Sequence, residues 1–251
     1  MASTPLDILA IAAHRDDVEQ TCGGTLLKMA QRGQRTAILD LTQGEMGTRG
    51  TPQDRAREAT DAAKILGVGW RRALDLPDGR VENTWENRLK VANVIRETRP
   101  RVVILPYWKG RHPDHYTCSM LGYEACFLAG LSKLDSSAAV PTAVDGSTKL
   151  APHRPFKIIY ATLYYDVRPT FVVDISSQFE QKFASILAYK SQFSDQEAGK
   201  DLFPAHNEIH ARVESMARYY GALGGVTYAE PFLQKEIGLV EDLLAIPVKS
   251  I

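Results

Sequence analysis

The sequence predicts an α/β fold: a Rossmann-like, mostly parallel sheet with helices on both faces, formed by one domain over residues 1–251. Two observations predict it. Short apolar runs alternate with amphipathic stretches of helical period through the first half of the chain, which calls for right-handed βαβ crossovers. The strand-like runs are apolar throughout rather than alternating, as strands covered on both faces must be. With 251 residues and 44% hydrophobic content there is material for a sizeable core.

In chain order, Leu6–Ala13 ("LDILAIAA") is the first buried strand, and "GGTLLKMAQRG" places Leu26, Leu27 and Ala30 at helical spacing before a stop at Gly33. Arg35–Leu41 is the second strand. The helix after it has Thr51 as N-cap, Pro52 in the first turn and Gly67 just past its end. "RALDL" (72–76) is a weak strand, and "TWENRLKVANVIRETRP" is an amphipathic helix that stops before Pro100. Arg101–Tyr107 is another apolar strand and "HYTCSMLGYEACFLAGL" another helix. Ser132–Pro155, rich in Ser, Ala, Pro and Gly, reads as a long surface loop or flap. Strand-like runs resume at "FKIIYATLYY" and "TFVVDIS", followed by helical stretches at Gln178–Tyr189 and about Ile209–Tyr220. "RYYG" near Arg218 reads either as a subunit contact or as part of a core helix.

Composition narrows the function. Thirty basic residues balance thirty acidic ones, so no basic footprint for nucleic acid exists. The apolar run near the amino terminus is too short to span a bilayer and lacks the marks of a signal peptide. Three cysteines form no CxxC, which fits a reducing, cytoplasmic setting. No GxGxxG follows the first strand and no GxxxxGK[ST] occurs, so neither dinucleotide nor P-loop chemistry is indicated.

Two clusters carry chemistry. His14, Arg15, Asp16 and Asp17 directly follow the first strand, and "RHPDH" (111–115) follows the strand ending at Tyr107. In open α/β sheets ligands bind beyond the carboxyl ends of the strands, so the clusters face one crevice if their strands lie near each other. Imidazoles plus one carboxylate suit a divalent ion and leave a position for water or substrate. Of two adjacent aspartates only one easily reaches the same ion, which leaves the other as a general base. Taken singly, each cluster also reads as a turn with a capping aspartate, Asp114 capping a helix that starts near His115.

The segments "AAHRDDVEQTCGGTL", "LTQGEMGTRGT", "LDLPDG", "GRHPDH", "APHRP" and "YAEPF" resemble the LmbE-like (PIG-L) family of metal-dependent N-acetylglucosaminyl deacetylases, most closely the bacillithiol-biosynthesis branch acting on N-acetylglucosaminyl malate. The resemblance implies His14, Asp17 and His115 as zinc ligands, with Fe²⁺ or Co²⁺ as alternatives. It implies Asp16 as general base, His112 as a protonated oxyanion stabiliser or amine acid, and Asp114 as the residue orienting His112. It places Arg55 and Arg111 at the substrate, where either would fork onto a malate carboxylate. Glu45, Met46 and Arg49 are pocket candidates in the loop beyond the second strand. It also implies a homo-oligomer, in some relatives a hexamer, acting on a small molecule, with no nucleic acid and no membrane. Two departures stand out: Arg15 replaces a usual Pro or small residue, and a tyrosine some relatives place over the site has no evident equivalent, leaving His206, Asn207, His210 or no residue in its stead. The alternatives are the same site acting on a chitooligosaccharide or antibiotic amide, and a metal- or sugar-binding module without catalysis.

Overall fold

The computed structural model describes residues 5–134, 150–162, 165–194 and 206–248; most of the predicted 132–155 loop lies outside these. The apolar runs form strands β1 (Ile8–Ala12), β2 (Thr36–Asp40), β3 (Trp70–Ala73), β4 (Val102–Pro106), β5 (Lys157–Ala161) and β6 (Phe171–Asp174), and a seventh, β7 (Ala229–Leu233), joins them. The sheet order is β3-β2-β1-β4-β5-β7-β6. The first five strands are parallel, and β7 runs antiparallel to both β5 and β6. The mostly parallel α/β sheet is as the sequence predicts.

Alternate residues of each strand serve opposite layers. Leu9, Ile11, Leu39, Val103 and Leu105 pack with Val91, Ile95, Leu121 and Ala125. Those partners belong to α4 (Trp85–Thr98) and α5 (Pro113–Ala129). Ala10, Ala12, Ile38 and Ile104 turn the other way onto Val18, Cys22 and Leu26. Val18 lies on α1 (Asp17–Thr21) and Leu26 on α2 (Gly23–Gln31), with Cys22 between them. Cys22 is therefore a packing residue, as expected. On the same side, Ala59 and Ala62 of α3 (Pro52–Ile65) meet Ile186 of α6 (Phe179–Leu187) and Phe193 of α7 (Lys190–Phe193). Helix α8 (His206–Gly224) packs on β7.

Local signals set the helix ends. Thr51 caps α3 in a capping box, its Oγ1 accepting from the Asp54 amide at 3.1 Å and the Asp54 carboxylate accepting from the Thr51 amide at 3.1 Å. Thr84 caps α4 with a single bond, its Oγ1 accepting from the Asn87 amide. Strand β3 lies two residues earlier than predicted, because its pairing runs from Ala37↔Trp70 to Asp40↔Ala73, where β2 ends. Strand β7 escaped the pattern reading because Pro231 sits inside it, opposite Val172. "RYYG" divides: Tyr220 is wholly buried while Tyr219 is half exposed.

Candidate metal centre

Strand β1 pairs with β2 on one side and β4 on the other, so the chain reverses its winding between β1 and β4. A crevice opens at such a switch point, beyond the carboxyl ends of the two strands. The chain enters it twice, once from β1 into His14–Asp17 and once from β4 into the start of α5.

Donor atoms of three residues converge there, the two oxygens of Asp17 facing one imidazole each. His14 Nδ1 lies 3.4 Å from Asp17 Oδ2, His115 Nε2 lies 3.2 Å from Asp17 Oδ1, and the two nitrogens are 3.3 Å apart. Ligands around a tetrahedral ion with bonds of 2.0–2.1 Å sit about 3.3–3.4 Å from one another. The donor set therefore fits a divalent cation in both chemistry and spacing. The His112 ring stacks on His115 at a centroid distance of 5.0 Å and meets His14 edge-on at 4.7 Å.

Carboxylates behind His14 fix its orientation. Its Nε2 faces Asp78 Oδ1 at 3.0 Å and Asp114 Oδ2 at 3.3 Å, which leaves Nδ1 turned to Asp17 and His115. The Asp114 carboxylate also accepts from the Gly79 amide at 2.8 Å and the Val81 amide at 3.1 Å. Burial depresses the basicity of His14, but bonding to Asp114, Asp17 and Asp78 outweighs it, and the pKa is pushed up to about 12. Burial would raise the Asp17 carboxyl; the charges of His115 and His14 instead hold it well below the usual range.

The Asp114 carboxylate, expected to orient His112, bonds His14, and its residue meets His112 through the backbone amide. Asp114 is the second residue of α5, and its buried side chain is held by the loop after β3. His112 itself is the N-cap, its Nδ1 accepting from the Asp114 amide at 3.2 Å, so neither Asp114 nor a start near His115 defines the cap. Burial and the charges of His14 and His115 lower the His112 pKa, with Asp114 partly opposing.

Asp16 adopts φ 112°, a backbone region costly for a non-glycine residue, and its Oδ1 accepts from Arg55 Nη2 at 3.0 Å. Burial raises its pKa to about 7, offset in part by Arg55 and reinforced by Asp17. Arg55 is buried and also donates to the Arg15 carbonyl, while Gly44 leaves room for it: a Cβ there would lie 2.5 Å from Arg55 Nη1. Arg55 thus faces Asp16. Arg15 is buried and donates to the Pro52 carbonyl at 2.8 Å, pinning the β1 loop to the start of α3.

The remaining candidates divide. Arg49 is buried and donates to the carbonyls of Gln192 and Ser194, which ties its loop to α7. Glu45 accepts from the Asp78 amide at 2.8 Å, and the Met46 amide donates to Asp78 Oδ2 at 2.9 Å with the Met46 side chain in solvent. Arg111 is exposed beside His112. His210 stacks edge-on against Phe183 and pairs with Glu214, so it does not stand in for the tyrosine; the side chains of His206 and Asn207 lie outside the described residues. Asp78 was missed as a site residue. Its signal was the Pro-Asp-Gly turn after a strand at this same sheet edge. A small, largely apolar hollow of about 30 Å³ adjoins Asp17 and His115 and is lined by Val18, Thr21, Cys22, Pro106 and Ala161.

Two imidazoles and a carboxylate around one point, with a second carboxylate next to them, form a candidate metal-dependent hydrolase site. Residues 9–126 match the PIG-L family, described as GlcNAc-PI de-N-acetylase. The chain is 33% identical over 234 residues to the diacetylchitobiose deacetylase of Thermococcus kodakarensis, covering 89% of this chain and 80% of that protein. It is 25% identical to the 1D-myo-inositol 2-acetamido-2-deoxy-alpha-D-glucopyranoside deacetylase of Kineococcus radiotolerans, covering 90% and 81%. Its fold superposes on the conserved protein TT1542 of Thermus thermophilus with a TM-score of 0.80 at 38% identity, covering 94% and 98%. The chain belongs to the PIG-L (LmbE-like) deacetylase family. Among the described residues no helix is long and apolar enough to cross a membrane.

Proposed function

We propose that this protein is a metal-dependent hydrolase that removes acetyl from an N-acetylglucosaminide. The observation that carries the reading is the convergence of His14 Nδ1, Asp17 and His115 Nε2 within 3.2–3.4 Å of one another, with Asp16 next in sequence. These three residues would hold the ion; the donor set suits zinc and also accepts Fe²⁺ or Co²⁺. When bound, the ion supplies Lewis acidity toward an acetamide carbonyl and toward a water.

The chain's own groups do the rest. The Asp16 carboxylate, steadied by Arg55, takes a proton from the attacking water. His112 accepts a backbone hydrogen bond at Nδ1, so its neutral ring carries the proton on Nε2 and offers it to the oxyanion as the carbonyl carbon becomes tetrahedral. The C–N bond then breaks, the Asp16 carboxyl returns its proton to the sugar nitrogen, and acetate and a free amine leave. The apolar hollow beside Asp17 and His115 accommodates the acetyl methyl.

The finer reading of the substrate is N-acetylglucosaminyl malate, in bacillithiol biosynthesis, by a cytoplasmic homo-oligomer. "GEMGTRGT" and "GRHPDH" support it, and the exposed Arg111 at the mouth is suited to a malate carboxylate. A second reading, a neutral aglycone as in diacetylchitobiose, is favoured by the burial of Arg49 and Arg55, which bond within the protein. Free-amine release from the malate conjugate, N-acetylglucosamine and diacetylchitobiose, compared by kcat/KM, tests this. Preference for the malate conjugate, abolished in Arg111→Ala, supports the first; preference for diacetylchitobiose selects the second; release from none contradicts the function.

A further inference from the structure

Two of the segments that carry the family resemblance hold residues the proposed reaction leaves unused: Gly24 and Thr25 in "TCGGT", and Glu230 in "YAEPF". The fold joins them. From β7 the Glu230 carboxylate reaches the start of α2, where it accepts from the Gly24 amide at 2.9 Å and the Thr25 amide at 2.7 Å. It also pairs with Lys182 of α6 at 2.5 Å. The Lys182 ammonium in turn donates to the Gln20 carbonyl, near the end of α1, at 2.9 Å. So close an approach requires glycine at position 24, where a Cβ would lie 2.9 Å from Ile175 and 3.1 Å from a Glu230 oxygen.

Both charged side chains are buried, at 4% and 2% exposure. Burying two charges is costly unless good geometry and further hydrogen bonds compensate, and removing one partner strands the other. The compensation here comes from helix ends, which leave backbone groups without partners. The ion pair sits at the break between α1 and α2, where Cys22 leaves helical geometry with φ −139° and ψ 17°. The cation takes a carbonyl of α1, and the carboxylate takes two amides of α2. Helix α1 is five residues long, too short to keep its direction unaided. Yet its first residue is Asp17 and its N-cap is Asp16. Gln20, whose carbonyl Lys182 holds, also donates from its side-chain amide to the Asp16 carbonyl at 3.4 Å. The same helix supplies Val18 and Thr21 to the hollow beside Asp17 and His115.

We infer that Lys182 and Glu230 are positioning residues, whose buried ion pair clamps the α1–α2 junction and thereby holds Asp17 at the metal centre and Asp16 beside it. The inference rests on the proposed metal-dependent reaction. Its test compares Lys182→Met, the double variant Lys182→Met with Glu230→Gln, and Gly24→Ala. Stability is read on metal-free protein by denaturant unfolding, zinc affinity by chelator competition, and turnover by amine release. Lys182→Met strands a buried carboxylate and loses stability; adding Glu230→Gln removes that charge and restores most of it. In the double variant zinc affinity should still lie about tenfold or more below wild type, and kcat should fall with KM nearly constant, because the Gln20 carbonyl has lost its anchor. Gly24→Ala keeps both charges and only displaces the carboxylate, so it should weaken zinc binding in the same direction. A merely structural pair gives another pattern, in which affinity and turnover return together with stability, and that pattern overturns the inference. Should the double variant fail to fold, Gly24→Ala decides, and wild-type zinc affinity there overturns the inference as well. Wild-type protein that binds zinc but frees no amine contradicts the reaction alone, and the clamp is then judged on zinc affinity. Wild-type protein that takes up no zinc overturns both.

Discussion

His14 Nε2 stands 3.0 Å from Asp78 Oδ1, while the other nitrogen of the same ring looks at Asp17 and His115. One imidazole thus joins the loop after β3 to the donor cluster after β1. Asp78 in turn accepts from the Met46 amide, and its own amide donates to Glu45, so the orientation of His14 is tied to the loop that follows β2.

Partners behind metal-binding histidines set ring orientation and basicity, and losing one commonly costs 10–100-fold in affinity. Asp78→Asn should weaken zinc binding by about that range, read by competition against a chromophoric chelator. Unaltered affinity would show that Asp114 alone orients His14.

Asp16→Asn removes the proton acceptor but keeps side-chain size. It should lower kcat by two or more orders of magnitude while one zinc per chain is still bound, measured by turnover beside metal analysis. Turnover within a few-fold of wild type would remove the role given to Asp16.

Arg55 distinguishes positioning from substrate contact. If it steadies Asp16, Arg55→Lys should reduce kcat by about tenfold or more with KM nearly constant, as expected for a group whose effect is felt in the transition state. A rise in KM with kcat preserved would return Arg55 to the substrate site, as the sequence resemblance implied.

His112 caps α5 and, in the proposed reaction, donates to the oxyanion; the two roles separate by measurement. As N-cap of α5 its replacement by alanine should cost about 1 kcal/mol in denaturant unfolding. As hydrogen-bond donor to the oxyanion it should cost about 2.7–4 kcal/mol in kcat. His112→Asn restores a capping side chain, so stability should return while turnover remains low.

Most of the sheet was legible because buried parallel strands are continuous apolar runs, and Leu6–Ala13 or Arg101–Tyr107 admit little else. Pro231 hid β7, since a proline argues against a strand unless pairing makes room for it. In the site, the donor residues were legible because they follow strands at one sheet edge. Their partners were not: whether the Asp114 carboxylate turns to His112 or to His14 depends on the Gly79 and Val81 amides, brought in from another loop by the fold. The surroundings of Arg55 were hidden for a similar reason: its burial and its bonds to Asp16 and the Arg15 carbonyl arise only when α3 packs beside the loop after β1.

The most direct measurement is amine release from N-acetylglucosaminides by protein stripped with a chelator and then given one equivalent of zinc per chain. The account predicts no release from the stripped protein and recovery with zinc, both abolished in His115→Ala. Release that persists without metal, or zinc-loaded protein that frees no amine from any of these substrates, would contradict it.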